Sequence, residues 1–343
     1  MLQRMPGVVA EGLVKRFGDF TALAGVDFEV PEGELVGLLG PNGAGKTTTI
    51  RILSTLLPFE GGRATVGGFD IVQQPQLVRS VIGLTGQYAA VDDDLTGREN
   101  LVLVGRLGRL TNRAAKTRAD ELLGLFDLDF AGDRYLRTYS GGMRRRLDLA
   151  ASLMVAPTVL FLDEPTTGLD PRSRLALWDV INELKTEGTT IVLTTQYLEE
   201  ADHLCDTISV IDAGRIIAKG TATELKRLVG GDVLHVHLEH RADVGRAVAS
   251  LTRVFGLGEH ELTVDPELGT IVVPITGNAS ALTSALRALD ADQVPIEDIS
   301  LRRPSLDDVF LELTGRVADD EEDDEQRREE QAPPRRRFQG RRD

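Results

Sequence analysis

A glycine-rich segment that ends in a lysine and two threonines holds the residue types best suited to chemistry in this sequence. In chain order its residues are Gly40, Pro41, Asn42, Gly43, Ala44, Gly45, Lys46, Thr47 and Thr48. They fit the pattern G-x-x-x-x-G-K-[ST], in which the glycines let successive backbone N–H groups turn toward an anion. Lys46 can then bridge the outer phosphates of a nucleotide, and the hydroxyl of Thr47 can ligate Mg²⁺. This segment, the phosphate loop, therefore predicts a nucleotide site that uses Mg²⁺.

The sequence on both sides of the phosphate loop fits the strand and the helix that such a loop needs. Residues 35–39 are an apolar run that predicts a buried strand, and residues 48–57 predict the helix that leaves the loop. The N-terminus of that helix adds the positive end of its dipole to the loop. The alternative, a chance match in a glycine-rich turn, would not bring these flanking elements with it.

A second apolar run ends in two carboxylates. Residues 159–162 predict a buried strand, and Asp163 and Glu164 follow it directly. Because buried acids without a partner are costly, we expect a cation beside them. Asp163 is predicted to hold Mg²⁺, directly or through water. Glu164 is predicted to lie beyond the γ-phosphate and to polarise the attacking water, a contribution of ~10²–10⁴-fold in rate. The alternative is a strand that ends in an ordinary polar turn.

A third candidate lies shortly before the acidic strand. Ser140 is a favourable N-cap for the helix that follows, and Gly141 and Gly142 leave its first N–H groups open to a phosphate. These three residues are called the signature segment here. Taken alone, the segment predicts only a capped helix.

Composition limits the classes of function. The chain has 343 residues, of which 41% are hydrophobic and 27% charged, and a formal net charge of −15. That charge argues against a nucleic-acid partner, although residues 319–330 supply nine of the acids. One cysteine, Cys205, excludes a disulfide framework or a cysteine zinc site within one chain. No apolar stretch approaches the ~20 residues that span a bilayer, so we expect another chain to supply any membrane path.

The order of the predicted elements gives the fold class. Short β-like runs precede the phosphate loop, residues 96–155 are helical, and strands then alternate with helices up to a hairpin at residues 208–218. This order predicts an α/β domain over residues 1–228 with a largely parallel sheet. A capping box is predicted at Thr96 and Glu99. In the helix over residues 172–184, the inner face is predicted to hold Leu175, Trp178, Ile181 and Leu184.

The remaining chain divides in two. Residues 229–316 have the order βαββαβ plus a helix, which predicts a small ferredoxin-like α+β domain. Residues 317–343 are a charged tail whose composition predicts disorder. The small domain has a regulatory role, a ligand-binding role, a role in stabilising a complex with another subunit or a purely structural role, and the sequence leaves that choice open.

In this order, the motifs of residues 8–228 resemble the nucleotide-binding subunit of an ABC (ATP-binding cassette) transporter. The resemblance implies a P-loop ABC ATPase core that has a mixed sheet, an antiparallel β subdomain and a helical subdomain. It implies that Gln87 contacts Mg²⁺ and communicates with a membrane subunit, and that Asp170 belongs to the family's D-loop. Phe17 occupies the place of the aromatic residue that stacks on adenine, although it could equally be a core residue.

Two positions depart from the family pattern. Met143 follows the signature segment where many members have a glutamine. Gln196 occupies the switch position, where the family usually has a histidine that touches the γ-phosphate. A glutamine can donate a hydrogen bond but cannot take up a proton near neutral pH. We therefore expect Gln196 to act as a geometric sensor that contacts the γ-phosphate through a hydrogen bond, while Glu164 acts as the base. The competing interpretation is a weakened ATPase.

Residues 139–147, 194–202 and 303–310 are similar to the daunorubicin-resistance type of drug-export ATPase. This resemblance implies ATP and Mg²⁺ as cofactors, a separate transmembrane permease, export of a hydrophobic compound, and a peripheral position on the cytoplasmic side of the membrane. It also implies a homodimer in which each signature segment completes the ATP site of the other copy. Two alternatives stay open, a cassette ATPase that acts on ribosomes or DNA and an ATP sensor that does not hydrolyse.

Overall fold

This computed structural model describes residues 6–86, 91–228, 232–275, 279–302 and 305–315. The chain divides into two compact units, and the division falls between Ala222 and Thr223. Gln87 and the charged tail lie outside the described residues. The domain boundary at residues 228 and 229 remains a prediction.

The larger unit contains two sheets and the helices around them. Its strands are β1 (Pro6–Phe17), β2 (Phe20–Pro31), β3 (Leu35–Leu39), β4 (Gly61–Val66), β5 (Phe69–Asp70), β6 (Ile82–Thr85), β7 (Val159–Asp163), β8 (Thr190–Thr195), β9 (Thr207–Asp212) and β10 (Arg215–Gly220). Its helices are α1 (Lys46–Leu53), α2 (Pro75–Val81), α3 (Gly97–Leu107), α4 (Asn112–Leu125), α5 (Gly141–Ser152), α6 (Pro171–Thr186) and α7 (Leu198–Leu204), and α8 (Ala222–Leu228) follows at the division.

A six-stranded sheet has the order β10-β9-β3-β8-β7-β6, and its pairs are parallel except for β10 against β9. Every residue of β3, β7 and β8 is buried. Strands covered on both faces read as continuous apolar runs, which is why the sequence shows no alternation there. Because these strands are parallel, the residues that follow β3, β7 and β8 all lie at one edge of the sheet.

The two faces of this sheet pack against different layers. On one face, Val36 and Phe161 pack with Leu13 of the antiparallel sheet β2-β1-β4-β5 and with α1. On the other face, Leu160 packs with residues of α3 to α6, including Trp178. The antiparallel sheet and the group of helices match the two subdomains that the family resemblance implies, so the predicted fold class is confirmed.

Local sequence signals set the ends of the helices. The N–H of Glu99 donates to the Thr96 hydroxyl at 3.2 Å, and the N–H of Thr96 donates to the Glu99 carboxylate at 2.9 Å, so the predicted capping box is confirmed. The prediction for Leu175 is wrong, because this side chain on α6 is 54% exposed. At 3.6 residues per turn, a residue nine positions before Leu184 lies on the opposite side of the helix.

The smaller unit is an antiparallel sheet with helices. Its strands are β11 (Val233–Leu238), β12 (Thr263–Asp265), β13 (Thr270–Pro274) and β14 (Ile296–Arg302), and its helices are α9 (Val244–Phe255), α10 (Ala279–Ala291) and α11 (Leu306–Thr314). The strand order is β12-β13-β11-β14, with antiparallel pairs throughout. The first and third strands are therefore neighbours inside the sheet, as the predicted ferredoxin-like unit requires. One face of β11 is buried in a core with α9 and α10.

No helix within the described ranges has the length and apolar character to cross a bilayer.

Candidate active site

The phosphate loop connects β3 to α1, and its backbone conformation needs glycine. Gly43 and Gly45 have φ of 80° and 111°, in the left-handed region that favours glycine. A Cβ on Gly40 would lie 2.2 Å from the carbonyl oxygen of Ile211, and one on Gly45 would lie 2.8 Å from that of Ala22. The loop therefore keeps its shape and its close contacts only with glycine at these positions.

Lys46 is held inward by the loop that it ends. Its side chain is 4% exposed, and its Nζ donates to the carbonyl oxygens of Gly40 at 2.7 Å and Pro41 at 3.1 Å. The same Nζ lies 3.3 Å from Oε1 of Glu164. The structure thus places the lysine of the phosphate loop beside Glu164, where the sequence predicted a cation. The ion pair with Glu164 and the two carbonyl contacts hold the ammonium at the position where a phosphate charge would attract it.

Asp163 lies at the end of β7 and accepts hydrogen bonds from two threonines. Oδ1 accepts from the Thr47 hydroxyl at 3.1 Å and from the Thr194 hydroxyl at 2.6 Å. The carboxylate is almost fully buried. The described residues contain no group of three or more His, Cys, Asp or Glu that could enclose a metal ion. One hydroxyl and one carboxylate nevertheless fit Mg²⁺, which proteins bind through one or two carboxylates together with substrate phosphates.

Glu164 follows Asp163 in an unusual backbone conformation. Its φ is 50°, in the left-handed region that non-glycine residues seldom adopt. Its N–H donates to the carbonyl and to the hydroxyl oxygen of Thr194, both at 3.1 Å. This turn directs the carboxylate toward Lys46 and into the cavity beside the phosphate loop.

A cavity of about 460 Å³ collects most of the predicted site residues. Its lining within the described residues comprises Phe17, Phe20, Ala22, Pro41, Asn42, Gly43, Gly45, Lys46, Thr47, Thr48, Glu164, Thr167 and Gln196. Phe17 is 49% exposed, so it is not a core residue, and the Lys15 ammonium lies 5.2 Å from its ring centre. The volume is in the usual range for a small-molecule site, with an aromatic ring and the phosphate loop both on its wall.

The signature segment and Asp170 do not join this cavity. Ser140 is exposed and is the N-cap of α5, where its hydroxyl accepts from the Met143 N–H at 3.2 Å. Asp170 is the N-cap of α6, and hydrogen bonds from Ser173 hold the pKa of its carboxyl below the ordinary value. Among the described residues that line the phosphate-loop cavity, none belongs to the signature segment. Gly141 instead borders a neighbouring cavity of about 590 Å³ together with Glu164.

Two residues that the sequence analysis did not single out also hold the site. Thr194 contacts both Asp163 and Glu164, because the register of β7 against β8 sets it opposite Asp163. Arg145 donates to the carbonyl oxygens of Asp163 and Glu164 at 3.1 and 2.8 Å. Thr194 lies only two residues before Gln196, which is the one signal that could have found it. Arg145 is the middle residue of an arginine run, and nothing in the sequence marks which arginine turns inward.

Comparison with known proteins gives matches in both units. Residues 23–167 match the family model described as ABC transporter, and residues 220–314 match the C-terminal domain of DrrA1-3-like ATP-binding proteins. The chain is 57% identical over 308 residues to the daunorubicin resistance ATP-binding protein DrrA2 of Streptomyces coeruleorubidus, a match that covers 90% of this chain and 95% of that protein. It is 49% identical over 313 residues to the daunorubicin/doxorubicin resistance ATP-binding protein DrrA of Streptomyces peucetius, which covers 91% of this chain and 94% of that protein.

A solved structure shares the fold of the larger unit. The crystal structure of the ADP conformation of MJ1267, an ATP-binding cassette of an ABC transporter, superimposes with a TM-score of 0.59 at 27% identity. The match covers 64% of this chain and 92% of that cassette.

Proposed function

Because the chain belongs to the ATP-binding subunits of ABC transporters, in the daunorubicin-resistance type, we propose that its ATP hydrolysis takes place at Glu164 and powers export of a hydrophobic, drug-like compound through a separate membrane permease. The observation that carries this proposal is the contact of Lys46 with Glu164 and of Thr47 with Asp163 beside one cavity. The phosphate-binding residues and the carboxylates come from distant parts of the sequence, and the parallel sheet brings them together.

Binding of ATP follows from this arrangement. The phosphates occupy the phosphate loop, and the Lys46 ammonium exchanges its contacts with loop carbonyls and Glu164 for the outer phosphates. Thr47 and Asp163 would hold Mg²⁺, and the family resemblance implies Gln87 as a further ligand. The metal ion, when bound, neutralises negative charge on the phosphate oxygens. Phe17, which lines the cavity, stacks on the adenine.

Hydrolysis then needs a water molecule as the nucleophile and a base that accepts its proton. A water oxygen forms a bond to the γ-phosphorus while the bond from that phosphorus to the β–γ bridging oxygen breaks, so that ADP leaves with the electron pair. The Glu164 carboxylate accepts the proton of the water. Release of Glu164 from its contact with Lys46 leaves this carboxylate available as the base. Gln196 also borders the cavity. Its side-chain amide donates a hydrogen bond to the γ-phosphate and exchanges no proton with it.

The test compares binding and turnover in the purified full-length protein with Mg-ATP. Lys46→Ala should lose ATP binding, whereas Glu164→Gln should bind ATP and lose turnover by ~10²–10⁴-fold. Glu183→Gln, on the exposed side of α6, is the matched control and should hydrolyse at the wild-type rate. Wild-type turnover by Glu164→Gln would remove this residue from the mechanism.

The same assay tests Gln196. Gln196→Ala should lower the ATPase rate, and Gln196→His should retain more activity than alanine because imidazole also donates a hydrogen bond. Full activity of the alanine variant would contradict the sensor role.

The transported compound, the permease and the position at the membrane are the part of the proposal that relies on relatives. The relatives named above are daunorubicin and doxorubicin resistance ATP-binding proteins, and the match to them extends through the smaller unit. We therefore expect the chain to copurify with a membrane permease and to lower the accumulation of an anthracycline in cells that express both. Glu164→Gln expressed with the same permease is the control, and equal accumulation with both forms would contradict drug export.

A further inference from the structure

Arg145 makes an unusual set of contacts at the active site. It lies in the second turn of α5, and its guanidinium is largely buried. Nε donates to the carbonyl oxygen of Pro165 at 2.7 Å, and Nη2 donates to those of Asp163 at 3.1 Å and Glu164 at 2.8 Å. One planar side chain therefore binds three consecutive carbonyl groups, and the middle one belongs to Glu164.

A fourth contact joins Arg145 to the residue that follows β6. Nη1 donates to the carbonyl oxygen of Gly86 at 2.7 Å, and Gly86 immediately precedes Gln87. The guanidinium thus connects the helix that begins at the signature segment, the peptide of Glu164 and the residue after β6. A guanidinium carries five N–H donors in a rigid plane, which is why a single side chain can serve carbonyls in these different directions.

The peptide that Arg145 binds is the one in the sparsely populated conformation. Glu164 has a φ of 50°, and a non-glycine residue keeps such a conformation only when its surroundings fix it. Thr194 binds the N–H of Glu164, and Arg145 binds the carbonyl group on the other side of the same residue. Both ends of the residue that carries the base are therefore held by hydrogen bonds.

Carboxylates near Arg145 offset part of the cost of burying its charge. Burial lowers the pKa of Arg145, and the negative charges of Asp148, Asp163 and Glu164 oppose that shift. An arginine keeps its proton under such conditions, so all its donors remain available. The neighbouring arginines make different contacts. Arg144 pairs with Asp93, and Arg146 donates to the carbonyl oxygen of Phe126.

We propose that Arg145 is a positioning residue for hydrolysis, which fixes the left-handed peptide of Glu164 so that its carboxylate faces the attacking water. This proposal deepens the proposed function and rests on Glu164 as the base. Arg145 makes no contact with the phosphate loop in the described structure, so it should affect turnover and leave ATP binding unchanged.

The experiment measures steady-state ATPase kinetics and the thermal midpoint of the full-length protein for Arg145→Gln and Arg145→Lys. Arg145→Gln should lower kcat on the order of 10²-fold, because a small displacement of a catalytic group is enough for such a loss, while KM for ATP stays within about twofold. Arg145→Lys keeps the charge and up to three donors but not the plane, and should lie between the glutamine variant and the wild type. If Arg145→Gln has a lowered thermal midpoint, the proposal is judged from the kcat of Arg145→Lys instead.

Two controls separate positioning from general damage. Arg146→Gln removes an arginine from the same helix turn and should keep the wild-type kcat. The double variant Arg145→Gln with Glu164→Gln should release phosphate, under single-turnover conditions, at the same rate as Glu164→Gln alone, because Arg145 acts through Glu164.

The outcomes are distinct for the two proposals. A wild-type kcat in Arg145→Gln, an equal loss in Arg146→Gln, or losses that multiply in the double variant would each overturn the role of Arg145, even with Glu164→Gln inactive. A fully active Glu164→Gln variant would instead overturn the assignment of the base.

Discussion

Glu200 is a fully buried acid close to the switch position, and the hydrolysis chemistry does not use it. It lies in α7, and the indole Nε1 of Trp178 donates to its Oε1 at 3.2 Å. Burial raises the pKa of its carboxyl, while hydrogen bonds from Thr195 and Trp178 and the charge of Arg174 oppose the shift. Glu200 therefore exchanges its proton in a pH range different from that of an exposed glutamate.

This shift predicts a pH dependence of stability. Above the ordinary value of 4.5, the folded state keeps the Glu200 proton while the unfolded state loses it, so the folded state binds more protons and its stability falls as pH rises. Glu200→Gln removes this loss. Its free energy of unfolding, relative to wild type, should increase as the pH rises from 5 to 8, because glutamine has no carboxyl proton to lose.

Urea unfolding of both proteins across that range measures the difference. Glu199→Gln changes the exposed neighbour that pairs with Arg174, and it should leave the pH dependence as in wild type. A constant or decreasing difference for Glu200→Gln would contradict the raised pKa.

At this scale, the sequence predicts residues that belong to contiguous motifs. Lys46 and Thr47 follow a glycine pattern, and Asp163 and Glu164 end an apolar strand, so their chemistry can be inferred from neighbours in the chain. Thr194 and Arg145 could not be inferred in this way. The contact of Thr194 depends on strand register and that of Arg145 on the packing of α5 against β7, and neither is encoded in local spacing.

At the scale of the elements, the side chain of Tyr139 connects the segment before α5 to the start of α3. The Tyr139 hydroxyl donates to the carbonyl oxygen of Ala131 at 2.8 Å, and the side chain is buried. Burial raises the pKa of this phenol. A Cβ on Gly97, the first residue of α3, would lie 2.1 Å from the same hydroxyl oxygen. Glycine at this position therefore leaves the space that the tyrosine fills, immediately before the signature segment.

Substitutions at these two positions should be coupled. Tyr139→Phe leaves the Ala131 carbonyl without its hydrogen bond, at a cost of about 1–3 kcal/mol. Gly97→Ala introduces a clash that costs about 1–3 kcal/mol. Because phenylalanine lacks the clashing oxygen, the double variant should lose at least about 0.5 kcal/mol less than the sum of the single losses.

Free energies of unfolding from urea titration give the three values. Tyr135→Phe, at a half-exposed ring nearby, should be close to wild type. Losses that simply add would show that the two elements do not meet through this hydroxyl.

The elements also show where sequence patterns are sufficient. The capping box at Thr96 and the βαββαβ order of the smaller unit could be predicted, because each depends on local residue types or on the sequence of elements. The inner face of α6 could not be predicted from a spacing of three alone. Successive steps of three residues rotate around a helix, so Leu175 at one end lies away from the face that Leu184 buries.

For the whole molecule, one chain carries one phosphate loop and one signature segment, and the described residues of these two segments line different cavities. The described lining of the phosphate-loop cavity includes no residue of that segment. ABC transporter cassettes dimerise, and a two-fold axis would let each copy present the same surface to the other. We propose that Gly141 of one copy lies against the γ-phosphate held by Lys46 of the other.

Gly141 allows this proposal to be tested without disturbing the single chain. A Cβ on Gly141 would meet no atom within 4 Å, and an aspartate in the first turn of α5 is favourable to the helix dipole. Gly141→Asp should therefore fold normally, but its charge should repel a phosphate across the dimer and abolish ATPase activity. Gly141→Ala is the control and should retain most of the activity.

Mixing two inactive variants decides whether the site is shared. In a dimer of Lys46→Ala with Gly141→Asp, one composite site carries both substitutions, and the other combines an intact phosphate loop with an intact signature segment. A one-to-one mixture should therefore regain ATPase activity up to about a quarter of wild type, since half of the dimers are mixed and each has one intact site. If the signature segment acted within its own chain, every site in the mixture would be defective, and the mixture would stay as inactive as its two components.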